Sequence, residues 1–415
     1  KMEGVRFGEP SVVARAGAGG QVVGICMGPE PTQVTCTLVP HGVQVVDVTS
    51  STCVLSWGLK GRTPLLPAAV VGAGERLVLA CEDGAVLSWR TKETTDLSKA
   101  DVLKGKARSA KLQMLLVEPS LEAILLIYTD GHVRMMSADL KQELSNTTLG
   151  LPKDSEVIFA DLARADSGGQ CSYLAVVLTR GADGSTNACR WRVNGTHSSS
   201  SSMTKAKWDP LQHPGGGADG GKGASAGSAG VLTCALHKPP SNSTTQPTLS
   251  VVWDSFVWQR FRVGAGSSPA IEASFHVSGV GVTPAPRRAP TSRGKGSTAP
   301  SSTSVVAATV DSDYLLMIGR DEADESSKSV NCLTAWDTVY GTKQGAGHLR
   351  WSADETDVAH YSADAATAAR SSHDGLLVAV ALDKCVVVCA VQSLAMSLDM
   401  VVASAASVRE KSRPQ

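Results

Sequence analysis

Apolar runs alternate with short acidic turns along most of this chain. Residues 76–90 read Arg-Leu-Val-Leu-Ala-Cys-Glu-Asp-Gly-Ala-Val-Leu-Ser-Trp-Arg: an apolar run, a Glu-Asp-Gly turn and a second apolar run closing on Trp89. Asp-Gly between two β-type runs signals a hairpin, because glycine accepts the positive φ that a tight turn needs. The phrase recurs. Leu125–Tyr128 leads through Asp130-Gly131 into Val133–Met136, and Tyr173–Leu178 leads through Asp183-Gly184 to Cys189–Arg192. Leu315–Gly319 leads, across an acidic loop, to Cys332–Asp337.

Units of roughly 40–50 residues, each with several short strands and a Trp near its end, point to a β-propeller. One four-stranded blade cannot hide both of its faces, whereas blades stacked radially cover one another and leave only short edges. The expected fold is all-β: a single propeller over 1–405, of about seven degenerate WD-like blades with long disordered loop insertions. The blades are placed at about 22–57, 67–91, 110–138, 157–194, 231–263, 305–340 and 376–402. Trp57, Trp89, Trp191 and Trp336 mark blade ends and are read as core residues. Val5–Ala14 is expected to supply a strand that closes the ring against the last blade. Helical signals are scarce; residues 95–107 and the Ala- and Asp-rich 354–370 have room for a turn or two, with no long amphipathic repeat.

Composition narrows this further. Hydrophobic residues make up 42% of 415, enough for a large core, but aromatics are only 4%, so Val, Leu and Ala must fill most of it. Lys plus Arg and Asp plus Glu are 39 each, so bulk charge gives no argument for nucleic acid, membrane or an acidic substrate. Ten cysteines, most in predicted strands (Cys26, Cys36, Cys53, Cys81, Cys189, Cys332, Cys385, Cys389), read as small buried thiols kept reduced. No apolar run reaches the roughly 18 residues a bilayer span needs. The opening Lys1-Met2 shows no charged-then-apolar leader, and an intracellular setting is expected.

Three stretches break the pattern. Residues 195–230 are Ser- and Gly-rich, 264–304 are Gly, Ser, Pro and Ala around a basic centre, and 321–329 are acidic and serine-rich. Such compositions bury too little apolar area to offset chain entropy, so surface loops are expected. In the basic centre, Arg287, Arg288, Arg293 and Lys295 are the candidate contacts to RNA phosphate or to an acidic partner segment. Residues 406–415 are expected to begin a linker to a C-terminal region.

Catalytic constellations are not found. No Gly-Lys-Ser/Thr phosphate loop follows a strand, no Gly-x-Ser-x-Gly elbow is present, and no Cys-x-x-Cys pair forms a zinc site. The histidines are isolated, and acid pairs such as Glu82-Asp83 lie in turns. No catalytic, cofactor or metal residue is assigned, and neither an enzyme nor a small-molecule substrate is expected.

Two segments carry more than a generic propeller pattern. The first is Leu55-Ser56-Trp57-Gly58-Leu59-Lys60, Leu66-Pro67-Ala68-Ala69-Val70, Arg76–Leu79, Ala85–Trp89 and Asp96-Leu97-Ser98-Lys99. The second is Asp313–Gly319 followed by Cys332–Trp336. In order and spacing they resemble the N-terminal propeller of the nucleolar protein 11 family, from which the chain departs in its longer Gly/Ser insertions. The resemblance implies a non-catalytic scaffold of the small-subunit processome in the nucleolus. Such a protein supports ribosomal DNA transcription and early pre-18S rRNA processing. Its implied partners are other propeller and helical subunits, with the 5′ external transcribed region of pre-rRNA close by. The alternative is a propeller adaptor elsewhere, in a vesicle coat, ciliary transport or ubiquitin-ligase substrate reception.

Overall fold

A computed structural model of the chain describes residues 4–72, 74–93, 96–104, 110–118, 120–152, 155–165, 172–194, 202–212, 214, 230–238, 246–264, 268–277, 306–310, 313–321, 330–349, 366–372 and 375–393. They form seven antiparallel sheets. Two strands come first, β1 (Val5–Phe7) and β2 (Ser11–Arg15). Blade one is β3 (Gln21–Met27), β4 (Gln33–Val39), β5 (Gly42–Asp47) and β6 (Thr52–Trp57). Blade two is β7 (Ala69–Val71), β8 (Arg76–Ala80), β9 (Val86–Arg90) and β10 (Asp101–Leu103). Blade three is β11 (Leu112–Leu116), β12 (Ala123–Tyr128), β13 (His132–Ser137) and β14 (Glu143–Thr148). Blade four is β15 (Glu156–Arg164), β16 (Ser172–Arg180), β17 (Thr186–Asn194) and β18 (Lys207–Pro210). Blade five is β19 (Val231–His237), β20 (Thr248–Trp253), β21 (Val257–Arg262) and β22 (Ala270–His276). Blade six is β23 (Val306–Val310), β24 (Tyr314–Asp321), β25 (Val330–Asp337) and β26 (Lys343–His348). Blade seven has β27 (Ala366–Ser371), β28 (Leu377–Leu382) and β29 (Cys385–Ser393).

Within each blade the strands pair in chain order. The first strands touch around a common axis, β3 with β7, β15 with β11 and β19, β23 with β19 and β27, and β27 with β3. The last blade takes its outer strand from the N-terminus. β1 pairs with Val391–Ser393 and β2 with Cys385–Val388 of the same strand, β29. Both ends of the ring are thereby stitched into one sheet, and no open blade edge separates blade seven from blade one.

The second strands explain the apolar runs in the sequence. Successive residues of β8 serve different neighbours. Leu77 and Leu79 join a core with Val43, Val45 and Trp57 of blade one, while Val78 and Ala80 join Ile124 and Leu126 of blade three. β28 does the same, with Val378 and Val380 packing toward blade six and Ala379 and Ala381 toward blade one. A strand buried on both faces reads as a continuous apolar run rather than an alternating one. The hairpin turns share one chemistry. Gly84, Gly131 and Gly184 have φ of 80, 79 and 81°, the left-handed region that glycine enters without steric cost. The preceding Asp83, Asp130 and Asp183 each accept the backbone N–H two residues on, at 3.0, 3.1 and 2.9 Å.

The outer strands correct the expected boundaries. β10, β14, β22 and β26 lie beyond the expected blades 67–91, 110–138, 231–263 and 305–340. β18 and β22 fall inside the stretches 195–230 and 264–304 expected to be loops. The cause is exposure: Glu143–Thr148 and Ala270–His276 are mostly exposed or half-buried, so they need no apolar run. β27 falls ahead of the expected 376–402 blade, and all but its last residue lies in the Ala- and Asp-rich stretch 354–370 given room for a helical turn or two. Its strand form follows from its place against β23 and β3, where crowding at the axis favours small side chains and tertiary packing overrides local preference. Among the described residues of 95–107, Leu97–Lys99 form a 3-10 turn capped by Asp96.

Candidate functional site

Arg287, Arg288, Arg293 and Lys295 lie outside the described residues. Trp57, Trp89, Trp191 and Trp336 are all buried and belong to the cores between blades. Two further buried tryptophans, Trp253 and Trp258, were not singled out in the sequence. They anchor a polar network inside blade five. The Trp258 indole N–H donates to the Ser250 hydroxyl at 2.9 Å, and that hydroxyl lies 2.7 Å from His237 Nε2. The Trp253 indole N–H donates to Gln259 Oε1 at 2.7 Å.

Burial pushes the His237 imidazole down from 6.5 to about 3, with the nearby Arg260 charge adding to the effect. The ring is therefore neutral at physiological pH and is not poised as a base. The sign of the linkage is fixed. The unfolded chain takes up a proton that the folded chain refuses, so this contribution is full above 6.5 and fades as pH falls toward 3. Lowering the pH from about 7 to about 5 should cost the parent about 2 kcal/mol through this one group. His237→Gln should flatten that part of the pH dependence, read as the shift in urea midpoint. A variant that follows the parent's pH curve would remove His237 from the account.

An open cleft of about 220 Å³ lies where blade one meets blade two. Val39 and Pro40, from the β4–β5 turn, form one side, and Leu59, Lys60, Arg62 and Pro64, from the connection to blade two, form the other. Lys60 and Gly61 have φ of 47 and 84°, and Arg62 N–H closes the turn onto Leu59 C=O at 3.1 Å. Two consecutive positive φ values match a type I′ turn, and a lysine held there is strained relative to glycine. The far wall is pinned to blade two, since Glu82 N–H donates to Thr63 C=O at 2.9 Å and Pro64 bridges to Cys81. Leu59 is buried beneath the turn in the Trp57–Trp89 core.

Both cations of the cleft have counterions outside its lining. Lys60 Nζ donates to Asp96 Oδ1 at 2.7 Å, and Arg62 Nη1 donates to Asp83 Oδ2 at 3.0 Å. The Lys60 hydrogen bond, with those from the Ser98 N–H and hydroxyl, holds the Asp96 carboxyl well below the usual carboxylate range. Lys60 is 67% and Arg62 38% exposed, so water screens both pairs. The sequence signal was present: Gly58-Leu-Lys-Gly-Arg-Thr-Pro64 sets two cations in a Gly- and Pro-punctuated loop between blades.

No disulfide joins the described cysteines. Burial raises Cys26 and Cys81 to about 11 and Cys189 and Cys389 to about 12, which keeps them protonated. Among the described residues no group of three or more His, Cys, Asp or Glu is placed to hold a metal ion. No helix among them is long and apolar enough to cross a membrane.

No protein-family model matches the chain, and no curated protein matches it in sequence. Among solved structures it is similar to the β-propeller domain of Cps50 (Swd1) from Myceliophteria thermophila. The TM-score is 0.51 at 9% identity, over 91% of this chain and 99% of that one. At that identity the likeness speaks to fold alone: the chain is a WD-like β-propeller of seven blades.

Proposed function

We propose that this propeller is a non-catalytic scaffold subunit of the small-subunit processome. In this reading it supports ribosomal DNA transcription and early pre-18S rRNA processing, holding other propeller subunits near the 5′ external transcribed region of pre-rRNA in the nucleolus. One observation carries the reading. The residues of the first segment behind the resemblance to the nucleolar protein 11 family converge in space: Leu55, Trp57, Leu59, Ala68, Val70, Leu77, Leu79, Leu87, Trp89 and Leu97 share one core, while the second segment lies in blade six. Lys60 and Asp96, from the same segment, pair directly at the surface. That segment thus describes one physical module, the junction of blades one and two, which supports the reading.

The test is affinity purification of the tagged protein from nuclear extract, followed by a sedimentation gradient with and without ribonuclease. Co-sedimentation with pre-ribosomal RNA and other propeller subunits is expected. A small RNA-free complex with membrane or cytoskeletal partners would favour the adaptor alternative. RNA contact through the basic stretch has its own signature. Changing Arg287, Arg288, Arg293 and Lys295 to alanine should weaken RNA association and lower the slope of log affinity against log salt by up to about 3. An unchanged slope would exclude the stretch from the contact.

A further inference from the structure

We propose that the cleft between the Val39–Pro40 turn and the Leu59–Pro64 connection docks an extended acidic segment of a partner protein. An apolar side chain of that segment enters against Pro40, Leu59 and Pro64, and its flanking carboxylates take hydrogen bonds from Lys60 and Arg62. The proposal does not depend on the nucleolar reading.

Three observations support this occupant. The lining carries two cations and no carboxylate, while its remaining surface is largely proline and aliphatic. That combination suits a segment that is apolar at one position and acidic beside it, and it repels a basic one. The cations can change partners at little cost. Asp96 keeps the Ser98 N–H and hydroxyl, and Asp83 keeps the Ala85 N–H, when Lys60 and Arg62 turn away. Exchange therefore leaves no orphaned carboxylate, and each exposed pair is weak to begin with. Finally, the wall is preorganised. The turn is closed by its own hydrogen bond, strained at Lys60, pinned to blade two through Thr63 and Pro64, and seated on the buried Leu59. A rigid wall lowers the ordering cost of binding, and strain held by its surroundings is a recurring mark of binding sites.

The probe is a fluorescein-labelled, end-blocked Glu-Asp-Leu-Glu-Asp peptide, titrated with the intact chain by anisotropy at low and high salt. Salt-sensitive binding is expected, weakened about tenfold in the Lys60→Gln, Arg62→Gln double variant. The charge-conserving Lys60→Arg, Arg62→Lys variant should retain binding, which separates loss of charge from loss of fold. Asp96→Asn, which removes a competing carboxylate, should tighten binding about threefold. A Ser-for-Leu peptide should bind more weakly than the parent peptide. The proposal fails if the unaltered protein does not bind the peptide, if the double variant binds as well as the parent, or if the Ser peptide does. Preferential binding of a decauridylate RNA would make this a nucleic-acid site instead and would equally overturn it.

Discussion

Replacing Trp89 by alanine should lower the free energy of unfolding by about 3–5 kcal/mol, a large share of the roughly 5–15 kcal/mol that a domain commands. Trp89 is 1% exposed and meets Trp57 edge-on, with ring centroids 5.5 Å apart and planes at 64°. Both rings sit among Val43, Val45, Leu77 and Leu79 in the core between blades one and two. Truncation removes one of the two largest side chains of that core together with an edge-to-face contact worth about 0.5–1.5 kcal/mol beyond its area. In a chain with only 4% aromatics, little else nearby can expand into the space. The buried indole N–H has no hydrogen-bond partner among the described residues. Trp89→Phe, which keeps a ring and removes that N–H, should therefore lose much less than Trp89→Ala. Urea unfolding of the three proteins is the check. An alanine variant with the parent's midpoint would mean that this interface does not hold blades one and two together.

The same packing explains what could be read from sequence and what could not. β12, β16 and β28 announced themselves because each is buried on both faces, toward two neighbouring blades. The Asp-Gly turns announced themselves because only glycine takes their backbone freely. Outer strands such as Lys207–Pro210 and Lys343–His348 border water on one edge and are polar, so composition assigned them to loops or left them out. β27 misled through its alanines, which answer to crowding at the axis and not to helix preference. The cleft was written in a short cationic loop whose meaning appears only when Pro40, some twenty residues earlier in the chain, is folded against it.

Polar side chains add a second kind of link between blades. At three junctions among the described residues, a side chain on the third strand reaches a backbone carbonyl just past the third strand of the next blade. Ser88 donates to Ala138 C=O, Arg190 to Gly264 C=O and Arg260 to Thr338 C=O. Each donor is also tied within its own blade to an outer-strand acid, Arg190 to Asp209, Arg260 to Glu272, and Ser88 to Asp101 through Arg76. The apolar cores favour close approach of the blades, whereas these bonds satisfy the carbonyls that such approach would otherwise strand.

Arg190 is the most deeply committed of the three, and Arg190→Ala should cost about 3–5 kcal/mol. The side chain is 1% exposed. One guanidinium nitrogen donates to Gly264 C=O at 2.6 Å, and another to Asp209, which also accepts the Ser268 hydroxyl at 2.7 Å. Burial alone would raise the Asp209 carboxyl; hydrogen bonds from Ser268 and Arg190 outweigh it and leave the group below its ordinary value. Its stabilisation is thus present above the unfolded value near about 3.9 and is lost as the pH falls through the lower folded one. Removing only the arginine leaves a largely buried carboxylate and a stranded carbonyl. Removing both charges, as in Arg190→Met with Asp209→Leu, should recover much of the loss, because most of the penalty belongs to the uncompensated charge. The double-mutant cycle measures that difference directly. Strong coupling between the two sites, little changed by salt, is the expected result. If the two single losses simply add, the blade-four to blade-five junction is held by its apolar core, and Arg190 serves only to fill space.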